Sequence, residues 1–409
     1  MPKMYIAFIL DLFQPSNQNT LTLDKVVHEC YQPLVDLFNS KPNAKFTLSM
    51  SNSLAKQFIE LGKSSITDGL RQAITDEKIE MIHTGAYHPL FPLIPEDEVK
   101  RQIELDYDFK KEYFNLDSKT GVFSPELGYQ DSLLSLYKDL DFTWTVIDDT
   151  IMPNCGIEVP EHEILQVNGF SVLLRSSLWS NWIRDEGKEH LTGGEFIRRM
   201  EQEIKHKNQD CYKIIAISGE TFGHHIKYYQ ETFLRDMLCT LTKTDLVELC
   251  HVKDLLNNRT FIKIEKVPEQ SANYRYFPSC SWAIQYNDYL REDYFPHWRS
   301  QGNSIHQHLA ELKELVYRIC RQIDLSNRSN LDIREMLDQA FYSTQYFAAS
   351  ISFWNPEEIY QGIDMQMRLL YRCTMMTEDF WSMHQAETIY SRLMLNIYQQ
   401  NEYLKSMRR

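Results

Sequence analysis

No stretch of 18 consecutive apolar residues occurs in the 409-residue chain, so no segment reads as a transmembrane helix. At the N-terminus only Met4 to Leu10 are apolar before Asp11 intervenes, too few for the core of a secretion signal, and the expected location is the cytoplasm. Basic runs are equally scarce, none longer than Arg198-Arg199 or Arg408-Arg409. With 43 Lys+Arg against 57 Asp+Glu the net charge is −14, which argues against nucleic-acid or membrane partners. The 8 cysteines (30, 155, 211, 239, 250, 280, 320, 373) stand singly with no CxxC pair, which excludes a compact disulfide framework and predicts buried thiols in a reducing compartment. There is no Gly-rich phosphate loop, no nucleophile-elbow serine and no HExxH, so nucleotide hydrolysis, esterase triads and zincin chemistry drop out.

What is present is material for a large core: 43% of the chain is apolar and 24% charged. Aromatic residues make up 12%, compatible with a sugar-stacking surface, although most aromatic side chains fill cores. Seven runs rich in Val, Ile, Phe or Tyr read as strands: 5–10, 45–50, 79–83, 121–124, 142–147, 170–174 and 212–218. Amphipathic segments lie between most of them, with starts at Thr22 (to Asn39), Pro95-Glu96-Asp97-Glu98 (to Phe114) and Thr192 (to Lys207). This alternation predicts an α/β fold with right-handed crossovers, a seven-stranded barrel in preference to a doubly wound open sheet, over residues 1–265. After that the pattern changes. Ile305, Leu309, Leu312, Val316, Ile319 and Ile323 recur at spacings of three and four, and further helices are expected at 331–349, 356–376 and 377–405, giving a C-terminal helical bundle over 266–409.

Polar clusters follow four of the strands, where a barrel places its chemistry. They are Asp11-Leu12-Phe13-Gln14-Pro15, His83-Thr84-Gly85-Ala86-Tyr87-His88-Pro89, Ser124-Pro125-Glu126-Leu127-Gly128-Tyr129 and Ser218-Gly219-Glu220-Thr221-Phe222-Gly223-His224-His225. In order and spacing these resemble the motifs of glycoside hydrolase family 57, retaining enzymes acting mostly on α-glucans, with a seven-stranded β/α barrel and a helical domain. The resemblance extends to Gly302-Asn303-Ser304-Ile305-His306. It implies Glu126 as the nucleophile that forms a glycosyl-enzyme intermediate, with Gln14, Tyr87, His88, Phe222 and His225 near the sugar. It also shows a departure: the family acid is an Asp two residues before the Glu of the fourth motif, which here is Ser218, and the family His that opens the first motif is here Asp11. A serine cannot replace a carboxylic acid tuned to release a proton near neutral pH, so Glu220 and Asp11 are the candidate substitute acids, with Asp148 or Asp149 as further strand-end carboxyls. Trp179, Trp182 and Trp282 are candidate stacking platforms, with core packing as the competing role. A zinc site of the polysaccharide-deacetylase kind would need Asp11, His83 and His88, but the spacing of the two histidines is wrong for it, so no metal and no cofactor is expected. The expectation is a glycosidase or glucanotransferase for an oligosaccharide or polysaccharide; the alternative is a sugar-binding protein that lost turnover with Ser218.

Overall fold

The computed structural model describes residues 1–154, 158–186, 191–265 and 279–407. All seven expected runs form strands: β1 (Met4–Leu12), β2 (Phe46–Met50), β3 (Ile79–Ile82), β4 (Gly121–Val122), β5 (Trp144–Asp148), β7 (Phe170–Arg175) and β8 (Cys211–Ser218). Parallel pairing runs from β8 through β1 and β2 to β3, and from β4 through β5 and β7 back to β8. A parallel bridge from His83 to Val122 joins β3 to β4. The ring therefore closes in the order β1-β2-β3-β4-β5-β7-β8, a barrel and not an open sheet.

Strand alternation sorts the side chains into two cores. On β1, Ala7 and Ile9 face a cluster inside the barrel with Ile82, Phe123, Trp144, Val146, Leu173, Ile214 and Ala216. Ile6, Phe8, Leu10 and Leu12 face outward against the helices, with Phe38, Phe58, Phe196 and Phe233. The first strand of the second half-ring begins at Gly121 because nothing larger fits: a Cβ there would lie 2.1 Å from the Trp144 ring.

Three strands escape the sequence reading. β6 (Glu163–Val167) pairs antiparallel with β7 across Asn168-Gly169, both at positive φ, the turn that an Asn-Gly pair favours. β9 (Val247–Cys250) pairs with the start of β1, and β10 (Ile262–Glu265) with β6. The segment expected as one helix from Thr22 is instead Thr20–Val26, a wider π turn Val27–Tyr31 and Gln32–Ser40, capped by Asn19, whose side chain accepts the Leu21 N–H. Glu96–Phe114 starts behind Pro95 with three acids in its first turn, and Thr192 caps Gly193–Lys205.

By contacts the chain divides into two compact units, Met1–Ala86 with Pro95–Trp282, and Tyr87–Ile94 with Ala283–Arg409. The first unit thus continues past the expected boundary at 265, because Cys280 and Trp282 hydrogen-bond to Tyr129 and Glu126. Residues 266–278, expected to open the second domain, lie outside the described residues. The second unit is helical: Ser304–Cys320, Leu331–Gln339, Thr344–Phe347, Pro356–Thr377 and Phe380–Met407. The expected continuous helix 331–349 breaks near 340–343, where Tyr342 bridges Pro89 and the Ser343 N–H donates to the His88 carbonyl. Among the described residues, no helix is long and apolar enough to cross a membrane. Cysteines 30, 211, 250, 280, 320 and 373 are buried thiols, as expected, but Cys239 is exposed; Cys155 lies outside the described residues.

Candidate active site

The inward side chains at the carboxyl end of the barrel form a polar layer above the apolar lumen. Asp11 continues the inward face of Ala7 and Ile9, and lies in register with Ser49 on β2 and Ser218 on β8. The Ser49 hydroxyl donates to Asp11 Oδ1 at 2.8 Å, and Asp11 is only 4% exposed. Across the ring, Asp148 on β5 is in register with Arg175 on β7. The guanidinium donates to Asp148 Oδ2 (2.6 Å), the Ala216 carbonyl (2.8 Å) and Asn181 (2.9 Å), while Thr150 donates to the other Asp148 oxygen.

Glu126 occupies the turn after β4. Its backbone is left-handed (φ 59°, ψ 17°), and Leu127 follows at φ 49°. Two successive non-glycine residues in this region cost about 1–3 kcal/mol each and persist where the surroundings impose them. Here Trp282 imposes them: its backbone N–H donates to the Glu126 carbonyl (3.1 Å) and its indole N–H to Glu126 Oε2 (2.8 Å). Trp282 packs on the lumen cluster, edge-on to Phe123 at 6.3 Å. Among residues 121–129, only Glu126 is not fully buried. The result is a carboxylate held at the barrel mouth with one oxygen oriented by an indole.

Glu220 follows β8, and its carboxylate holds the chain together. Oε1 accepts the Phe13 N–H (3.1 Å) and the Tyr31 hydroxyl, and Oε2 accepts the Ser218 hydroxyl (2.7 Å). Burial pushes its pKa up, and these donors oppose the rise. The π turn is what swings Tyr31 onto Glu220 and lets the Cys30 thiol donate to the Gly219 carbonyl at 3.3 Å. Gln14 belongs to the same network, donating to the Tyr31 oxygen (3.3 Å) and accepting from Gln18 (2.7 Å). Three donors thus meet the buried carboxylate of Glu220, which the sequence offers as a substitute acid.

Other expected site residues are placed differently. Phe222 is fully buried and stacked on Tyr229 at 5.5 Å in the outer core, so it presents no face to a sugar. Trp179 packs edge-on to Trp182 (5.2 Å) and Phe196 (5.8 Å) in the same sheath between barrel and helices, so it is not a platform at the mouth. His225 is exposed, while His224 pairs with Glu29 (2.8 Å). Tyr87 and His88 belong to the second unit, where the His88 ring meets Ser343 Oγ at 2.9 Å and its backbone is left-handed (φ 56°). His83 has both ring nitrogens engaged, with Asp106 (3.0 Å) and the Ser118 carbonyl (3.2 Å), which removes it from a zinc triad. The sequence reading missed Tyr31, Ser49, Arg175 and the buried Asp106–Lys110 pair (2.9 Å) on Glu96–Phe114. Only Arg175 carried a signal, a cation ending an apolar strand.

The family model for glycosyl hydrolase family 57 matches residues 9–268. A 4-alpha-glucanotransferase from Thermococcus litoralis is 21% identical over 293 residues, 69% of this chain and 42% of that protein. An alpha-amylase from Pyrococcus abyssi is 23% identical over 157 residues, 38% of this chain and 24% of that protein. The chain thus spans less than half the length of these relatives. Among solved structures, a branching enzyme of this family from Thermococcus kodakaraensis superposes with a TM-score of 0.67 at 13% identity, covering 94% of each chain. The alpha-amylase AmyC from Thermotoga maritima gives 0.68 at 12% identity over 97% of each.

Proposed function

Since the chain belongs to glycosyl hydrolase family 57, we propose that it cleaves or transfers α-linked glucan or a similar oligosaccharide by a retaining mechanism, with Glu126 as nucleophile. The observation that carries this reading is the strained turn that holds Glu126 at the mouth with Trp282 donating to one oxygen. The indole holds the carboxylate in a fixed orientation for attack on an anomeric carbon. A nucleophile so restrained gives up little orientation entropy on reaching the transition state. The glycosyl-enzyme then passes its sugar to water or to another sugar hydroxyl, according to how well the acceptor site excludes water. The 4-alpha-glucanotransferase and alpha-amylase relatives support an α-glucan as substrate class. The polar character of the mouth and the net charge of −14 support a neutral sugar over an anionic one.

The direct check is the fate of Glu126→Gln. Maltooligosaccharide turnover is expected to disappear, with affinity within about threefold of the wild type, because the amide keeps the shape and the Trp282 contact while losing the nucleophile. Turnover that survives removes Glu126 from that role. One observation favours the sugar-binding alternative, the hydroxyl at Ser218 on the inward face of β8; wild-type protein that binds maltooligosaccharides yet never turns them over would establish it.

A further inference from the structure

Retaining hydrolysis needs a second carboxyl group about 5–5.5 Å from the first, to protonate the departing oxygen. On the reading that Glu126 is the nucleophile, we propose that Asp11 is that acid, acting from β1 across the mouth of the barrel. In the closed ring, β4 is three steps from β1 in one direction (through β3 and β2) and three from β8 in the other (through β5 and β7). These two strands therefore stand opposite the one whose end carries Glu126. At the level of the mouth their inward residues are Asp11 and Ser218, directly in register on neighbouring strands about 4.8 Å apart. Of the two, only Asp11 carries a carboxyl group.

The other carboxyls at the mouth are placed differently. Asp148 sits on β5, beside β4 and not opposite it, and its oxygens take Arg175 and Thr150. Glu220 spends both oxygens on Phe13, Tyr31 and Ser218. Asp11 is almost fully buried, with Ser49 fixing Oδ1. Lys110 on Glu96–Phe114 interacts with Asp11 electrostatically, and its ammonium is paired at 2.9 Å with Asp106, itself bound to His83. Ser49 thus orients the carboxyl, and Asp106 offsets the nearby positive charge.

In the first step a Glu126 oxygen bonds to the anomeric carbon, the bond to the leaving oxygen breaks, and the Asp11 proton moves to that oxygen. In the second, water or a sugar hydroxyl gives its proton to the Asp11 carboxylate while its oxygen replaces Glu126 at the anomeric carbon. Both residues return to their starting states.

The test compares α-glucosyl fluoride, whose leaving group needs no acid, with maltooligosaccharides, which do. Asp11→Asn is expected to lower kcat/KM on maltooligosaccharides by about 10²- to 10⁴-fold while initial fluoride release stays within about tenfold of wild type. In the same variant added azide, attacking the glycosyl-enzyme without base assistance, yields α-glucosyl azide. Asp11→Asn/Ser218→Asp is expected to recover at least about tenfold of the lost turnover, because the β8 position faces Glu126 equally. Asp11→Asn that depresses both substrates alike, or neither, overturns the proposal, as does a wild type that releases fluoride but never turns over maltooligosaccharides. If the wild type shows no Glu126-dependent fluoride release, the nucleophile reading itself has failed, and that result is visible before Asp11 is changed.

Discussion

Asp148 and Asp149 are chain neighbours, yet they meet different partners at the end of β5. Asp148 turns to Arg175, whereas Asp149 accepts the Ser177 N–H (3.1 Å) at the start of the helix Ser177–Glu186. Burial first, and the neighbouring Asp148 second, raise the Asp149 pKa from 3.8 to about 6. Between those two values the folded chain holds a proton that the unfolded chain has released, so this group's contribution to stability is intact below about pH 4 and falls as pH rises through 6. Asp149→Asn keeps the acceptor for Ser177 and abolishes the charge. It should leave the denaturation midpoint unchanged at pH 4 and raise stability at pH 7.5 by about 1–2 kcal/mol, read by urea titration at both values. Equal effects at the two pH values would show that the ionised form carries no penalty. Asp11 and Glu220 are both visible in the sequence as strand-end carboxyls, but the network around Glu220 is not, because it depends on a π turn that brings Tyr31 across 189 positions.

The elements of the barrel were legible because each buried strand is a run of β-branched and aromatic residues, and the ring closes on those seven runs. β6 was not, although Asn168-Gly169 is a strong hairpin signal, because Glu163 and Gln166 dilute its apolar character on a strand that is only half-buried. The break in the helix expected at 331–349 was hidden too, since it comes from pairing of Tyr342 and Ser343 with residues 88–89, some 250 positions earlier. Packing at β4 offers a test. Gly121→Ala pushes a methyl into the Trp144 ring and should cost about 1–3 kcal/mol, part of which Trp144→Phe restores in the double variant. In the helical unit, His306 accepts the Ser300 N–H on Nδ1 and faces the Tyr346 carbonyl with Nε2, and burial drives its pKa from 6.5 to about 4. The unfolded chain binds the extra proton first, so stability present above pH 6.5 is lost as pH falls towards 4. His306→Gln should flatten that acid dependence of Tm between pH 7 and pH 4.5; an unchanged slope would assign it to other groups.

For the molecule as a whole, a net charge of −14 offers no long-range attraction to a neutral glucan, so under the proposed function recognition would rest on hydrogen bonds and stacking. Affinity for maltooligosaccharides should therefore change less than about twofold between 50 mM and 500 mM salt, measured by calorimetry. The barrel and the helices after it could be read from the sequence, whereas the arrangement of side chains at the mouth could not. It depends on register across the ring and on Trp282, which reaches Glu126 from 156 positions away. The central claim is that Glu126 works as a covalent nucleophile. Its most direct test is intact-protein mass spectrometry after brief exposure to α-glucosyl fluoride, with wild type beside Glu126→Gln. The account predicts one added hexosyl group on the wild type, mapped to the peptide containing Glu126, and none on the variant. An unmodified wild type that releases no fluoride, or a hexosyl group found on both proteins, would contradict it.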